Sequence, residues 1–71
     1  MENPLIIGCN YHTIWQSNKQ MRFVLAEICN DKVRLTTRIT KKSFWTDKSD
    51  LIFIRTKHNI NKAKKLGYEN I

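Results

Sequence analysis

The side chains able to do acid–base or metal chemistry are few and scattered. His12 and His58 titrate nearest neutral pH, yet no Ser, Cys or carboxylate stands at a recognisable spacing from either. His12 falls among residues of an exposed type, so a surface histidine is expected. Asp47 and Asp50 flank Lys48 and Ser49 and have the makings of a general acid/base pair. Turn chemistry explains them better, because Asp side chains satisfy local backbone N–H groups. Cys9 and Cys29 show no metal-ligand spacing and read as two small buried apolar residues, with a single disulfide as the alternative. No phosphate loop, zinc pattern or dinucleotide fingerprint occurs. The expectation is a protein that is not an enzyme, with no catalytic residue, metal, cofactor or small-molecule substrate.

Charge is the stronger signal. Thirteen Lys and Arg stand against six Asp and Glu, a net +7. Such an excess on a small body attracts polyanions and steers them at long range. DNA or RNA is the first candidate and an acidic protein surface the second. A composition rich in Ile, Asn and Lys, of the kind an AT-rich genome yields, is the plainer explanation of the lysines.

The cations cluster, however. Lys32, Arg34 and Arg38 recur along one segment, Lys41 and Lys42 follow, and no acid falls between Lys32 and Thr46. Alternate strand residues share a face at ~6.6 Å intervals, near the spacing of successive phosphates. The counterpart is the solvated face of any half-buried strand. Arg55, Lys57, Lys62, Lys64 and Lys65 form a second acid-free set, which also suits the Lys-rich outer face of an amphipathic helix. Trp45 points away from Phe44. It either stacks a base or anchors a peptide beside Lys41 and Lys42, or packs under a C-terminal helix. Tyr11 and Trp15, four apart, share a face if their segment is a strand.

These side chains must be positioned by a single domain, residues 1–71, whose core is thin because a chain this short buries only about 60% of its unfolded surface. Leu5 to Ile7, between Pro4 and Gly8, reads as an edge strand or a clip over the core. Asn10 to Gln16 fits a first strand, and Ser17 to Gln20 a loop. Met21 to Cys29 is the strongest apolar run. Val24, Ala26 and Ile28 point one way, and Met21, Phe23 and Leu25 the other until Glu27 interrupts them. Asn30 and Asp31 make a tight turn, since both tolerate left-handed backbone. Beyond it Val33, Leu35, Thr37 and Ile39 face inward, while Lys32, Arg34, Thr36, Arg38 and Thr40 face outward. Thr40 to Ser43 turns the chain into a strand opened by Phe44, which faces the core. Asp47 to Asp50 suits one turn of 3₁₀ helix, and Leu51 to Ile54 a last strand. A helix over about residues 59–66 follows, with Asn59 as N-cap and Ile60, Ala63 and Leu66 on its apolar face. Gly67 suits a left-handed C-cap that folds Tyr68 back on Ala63.

The expected fold is therefore mainly β: a five-stranded antiparallel SH3-like small barrel over about residues 8–54 with a short C-terminal α-helix. The run Arg22–Arg38 (RFVLAEICNDKVRLTTR), followed by Ser43–Thr46 (SFWT) and Ser49–Leu51 (SDL), resembles the SH3-like small barrels of Tudor and KOW type. The KOW glycine has no counterpart, since Asn30 and Asp31 occupy that turn. The resemblance implies a fold whose members bind nucleic acid or short protein segments.

A basic module binding nucleic acid through phosphates is the expected function. The alternative is a protein-interaction module, such as a phage-encoded or accessory regulator, docking an acidic partner or a peptide. No segment reaches the ~18 apolar residues of a membrane span, and Met1, Glu2 and Asn3 lack the positive start of a leader. The chain is read as cytoplasmic and without a membrane partner. Its oligomeric state is left open.

Overall fold

The computed structural model describes residues 4–68. Five strands form one antiparallel sheet: β1 (Asn10–Thr13), β2 (Phe23–Cys29), β3 (Lys32–Thr37), β4 (Ser43–Asp47) and β5 (Leu51–Phe53). A 3₁₀ turn, Lys48–Asp50, joins β4 to β5, and one helix, α1 (Lys57–Lys65), closes the described chain. The strand order is β4-β3-β2-β1-β5. No ladder joins β4 to β5 among the described residues, so the expected barrel is an open sheet. The Met1–Asn3 segment read for a leader lies outside the described residues.

Alternation builds the core. Tyr11, Phe23, Leu25, Val33, Leu35, Leu51 and Phe53 are buried on one face. Full burial of an apolar side chain of this size contributes about 1.5–3 kcal/mol. Phe44 packs against this cluster from β4. The β2–β3 turn is made as the residue types demand, with Asn30 at φ +54°. Glu27 departs from the expected alternation because the β2–β3 register shifts between Leu25 and Glu27. Ala26 is the extra residue of a β-bulge. The bulge turns Glu27 outward, opposite Arg34, and brings Ile28 opposite the buried Val33. Ile28 is nonetheless exposed, although its partner Val33 is fully buried.

Four other expectations are corrected. β1 ends at Thr13, so the four-residue spacing of Tyr11 and Trp15 is not a strand repeat. β3 ends at Thr37, which leaves Ile39 94% exposed in the turn instead of inside. Met21 likewise precedes β2 and is exposed. The two thiols are free. Cys9 is buried as expected, but Cys29 is exposed, placed outward by the same bulge.

The helix starts earlier than its apolar spacing suggests. Thr56 is the N-cap, its hydroxyl accepting from the Asn59 N–H at 3.2 Å. Asn59 is fully buried instead. Its Oδ1 accepts from the Asn10 N–H at 3.0 Å, and its Nδ2 donates to the carbonyls of Asn10 at 2.8 Å and Ile54 at 2.7 Å. One amide thereby clamps α1 to the start of β1 and the end of the β5 segment. Ala63 enters the core, whereas Leu66 is exposed. The C-terminus is a Schellman motif: Gly67, at φ +98°, donates to Lys64 O and Tyr68 donates to Ala63 O.

The segment before β1 is a clip. Ile6 is buried, and the Tyr11 hydroxyl accepts from the Ile6 N–H at 2.9 Å and donates to Pro4 O. Gly8 sits at φ +96° under Lys62, where a β-carbon would lie 2.3 Å from the Lys62 Nζ.

Candidate nucleic-acid interface

The described residues hold four carboxylates: Glu27, Asp31 and Asp47 gather at one end of the sheet, while Asp50 lies between that end and the Thr13 end of β1, its carbonyl accepting from the Ile14 N–H at 2.9 Å. Asp31 lies in the β2–β3 turn, Asp47 lies opposite Lys32, Glu27 lies opposite Arg34, and Asp50 accepts from the Thr46 hydroxyl at 2.9 Å. The partners of the first three are the cations of that end. Lys32 pairs with Asp47, Arg34 Nε with Glu27 Oε1 at 3.1 Å, and Lys48 Nζ with Asp31 Oδ1 at 3.7 Å. The hydrogen bond and charge of Asp47 hold the Lys32 ammonium above its ordinary pKa. Lys32 and Arg34 share the outer face of β3 as read from the sequence. Their acid partners come from β2 and β4, which an acid-free stretch within β3 cannot reveal.

The other end of the sheet has the opposite character. Arg38 does not continue the β3 ladder; it enters the turn that also carries Lys41 and Lys42. Because β2 and β3 are antiparallel, with Phe23 opposite Thr37, this turn meets the loop before β2. Between them lies an open groove of about 910 Å³. Lys19 and Arg22 line one wall, Arg38 the other, and no carboxylate lines it. Met21 and Ile39 add exposed apolar side chains.

Both walls are held by short-range hydrogen bonds. Gln16 is buried behind the loop. Its Oε1 accepts from the Thr13 N–H at 2.6 Å, and its Nε2 donates to Asn18 O at 2.6 Å and Met21 O at 2.8 Å. Lys19 Nζ donates to Thr13 O at 3.0 Å. Across the groove, Thr37 N–H donates to Lys42 O at 2.9 Å, and the Thr37 hydroxyl meets that of Thr40 and accepts from the Lys42 N–H at 3.1 Å. Lys41 completes the turn at φ +56°, a left-handed conformation that Gly or Asn adopts at less cost.

His12 is not the surface histidine expected. Its Nε2 is buried and has no hydrogen-bond partner among the described residues. Burial first, then the charges of Lys19 and Arg22, hold its pKa below the ordinary value.

The aromatic side chains divide between the two faces. Trp45 is half exposed on the outer face, opposite Arg34, so it does not pack under the helix. Trp15 is also half exposed, but its ring is fixed. It lies 6.3 Å from Phe23 and 5.7 Å from Phe44, and its Nε1–H donates to Thr46 Oγ1 at 3.2 Å.

The second basic set lies apart from the groove. Asn59 anchors α1 beside Asn10, and β1 runs from there to Thr13, next to the groove loop. Lys57, Lys64 and Lys65 are exposed on α1, Lys62 leans on Gly8, and Arg55 precedes the helix.

Lys19, Arg22, Met21, Ile39 and Gln16 were not legible as a site. One signal was present: no acid occurs from Asn3 to Ala26, as none does from Lys32 to Thr46, and the groove is made where those two stretches meet. No protein-family model, no curated protein and no solved structure matches the chain.

Proposed function

We propose that this domain is a nucleic-acid-binding module that takes phosphates in the groove between the loop before β2 and the β3–β4 turn. One observation carries the reading: Lys19, Arg22 and Arg38 line a single groove without a carboxylate, while Glu27, Asp31 and Asp47 lie paired with cations at the far end. Such a separation attracts a polyanion and orients it. Lys41 and Lys42 extend the cationic turn, and the α1 lysines supply a second, non-specific contact. We place it with the small barrels of Tudor or KOW type, a reading that the five-stranded order and the 3₁₀ turn before β5 support only as far as the small-barrel fold.

Fluorescence anisotropy of a labelled oligonucleotide across a salt series tests this. Each phosphate contact contributes about 0.7–0.9 to the slope of log K against log salt. Arg22→Gln and Arg38→Gln should each weaken binding and reduce the slope by nearly 1, while Lys32→Gln changes little. Absence of binding to both DNA and RNA at low salt removes the proposal.

A second reading rests on Trp45, half exposed on the strand that forms one sheet edge. An extended peptide could pair with β4 and cover that ring. Capture of a protein partner that resists nuclease and is lost in Trp45→Ala, but not in Arg38→Gln, would favour it.

A further inference from the structure

We infer that the ligand is a single strand, whose bases stack on Trp15 while its phosphates lie along Lys19, Arg22 and Arg38. This rests on the nucleic-acid reading and names both the form of ligand and the stacking residue. A single strand offers unstacked base faces beside its phosphates, so its sites combine a cationic track with a rigid aromatic platform. A duplex hides those faces and presents mainly phosphate rails at its rim.

Trp15 and Trp45 have nearly equal exposure, 54% and 50%. Their surroundings distinguish them. Trp15 rests on Phe23, the residue after Arg22 and the register partner of Thr37, and reaches over Phe44 to Thr46, so its ring runs from beside the groove loop towards the other end of β4 without lining the groove itself. Two ring contacts and the hydrogen bond to Thr46 fix its plane before any ligand arrives, and little side-chain freedom remains to be lost. Trp45 stands opposite Arg34, whose charge is already matched by Glu27. The groove itself is apolar where its cations leave room, through Met21 and the almost fully exposed Ile39. Those side chains suit the face of a base or sugar.

Tryptophan emission reads the proposal directly. In Trp45→Phe the sole emitter is Trp15, in an otherwise unaltered groove. Saturation with a single-stranded oligo(dT) or oligo(U) at low salt should quench that emission strongly. Trp15→Phe, which keeps an aromatic ring on Phe23 and Phe44, should leave the emission of Trp45 unchanged by ligand. Trp15→Leu should lower single-strand affinity by about ten-fold, within the range for one stacked base, with the salt slope unchanged. The single strand should bind at least ten-fold more tightly than a duplex of the same length. Unchanged Trp15 emission at saturation, equal or tighter duplex binding, or equal quenching by poly-glutamate would each overturn this inference. Duplex binding with the groove-dependent salt slope overturns it while leaving the nucleic-acid proposal standing; loss of all nucleic-acid binding removes both.

Discussion

At the scale of single residues, the chain's polar groups do most where they are least exposed. Tyr11 has no exposed surface, and its hydroxyl both accepts from Ile6 and donates to Pro4, so one phenol ties the N-terminal clip to β1. Burial pushes its pKa up to about 12, partly offset by the Ile6 hydrogen bond. In the unfolded chain the same phenol loses its proton from about pH 10. The native state therefore holds the proton where the unfolded state does not, and stability must fall as pH rises from about 10 towards 12. Urea titrations at pH 9 and pH 11 should show that loss in the wild type. They should show a smaller loss in Tyr11→Phe, which retains the ring contact with Phe53 but has no phenol to ionise. An equal loss in both proteins would place the alkaline sensitivity elsewhere. Gln16 works by similar logic. Its amide makes four hydrogen bonds behind the groove loop, so a residue that reads as a strand end becomes the support of a binding wall.

At the scale of elements, Asn59 separates what local pattern conveys from what tertiary contact decides. A helix N-cap loses about 1 kcal/mol when truncated, and Thr56→Ala should lose that much. Asn59→Ala should lose more, on the order of 2–4 kcal/mol, because it strands the Asn10 N–H and the carbonyls of Asn10 and Ile54 in a partly buried seam. Chemical denaturation of the two variants side by side checks the order. If Asn59→Ala were the milder of the two, the clamp would be absent. From sequence, Asn59 is a good cap because residue type is local information; its partner at Asn10 is distant along the chain. The same division runs through the fold. Val33 and Leu35 on the core side, the left-handed Asn30, the 3₁₀ turn after Asp47 and the Schellman ending at Gly67 follow from short-range period and turn chemistry, and all are present. The bulge at Ala26 has no local marker, yet it decides that Glu27 faces Arg34. The cationic ladder on β3 was legible as a strand face, and its neutralisation was not. The groove was hidden for the same reason: its walls come from opposite sides of the β2–β3 hairpin.

At the scale of the whole molecule, the net +7 is less informative than its distribution. Lys32, Arg34 and Lys48 are paired with acids at the Asn30 end, whereas Lys19, Arg22 and Arg38 line a groove with no acid at the other. Exposed pairs such as Lys32–Asp47 contribute little to stability, about 0–1 kcal/mol. Their greater consequence is to remove the Asn30 end from the outward field, which is left to the groove and to the separate lysines of α1. Two candidate surfaces, the β3 ladder and the groove, can therefore be told apart by removing an acid instead of a base. Glu27→Gln frees Arg34 and raises the net charge by one, while the groove keeps its lining. If phosphates lie along β3, the freed guanidinium gains a contact and the slope of log K against log salt steepens by nearly 1. If they lie in the groove, the slope stays as it was, and affinity rises only through the longer-range field, an effect screened beyond about 10 Å at 0.1 M salt. The expected result is the second, measured by anisotropy from low to moderate salt with Arg38→Gln as the internal standard for the loss of one contact. A steeper slope in Glu27→Gln would return the interface to the outer face of β3.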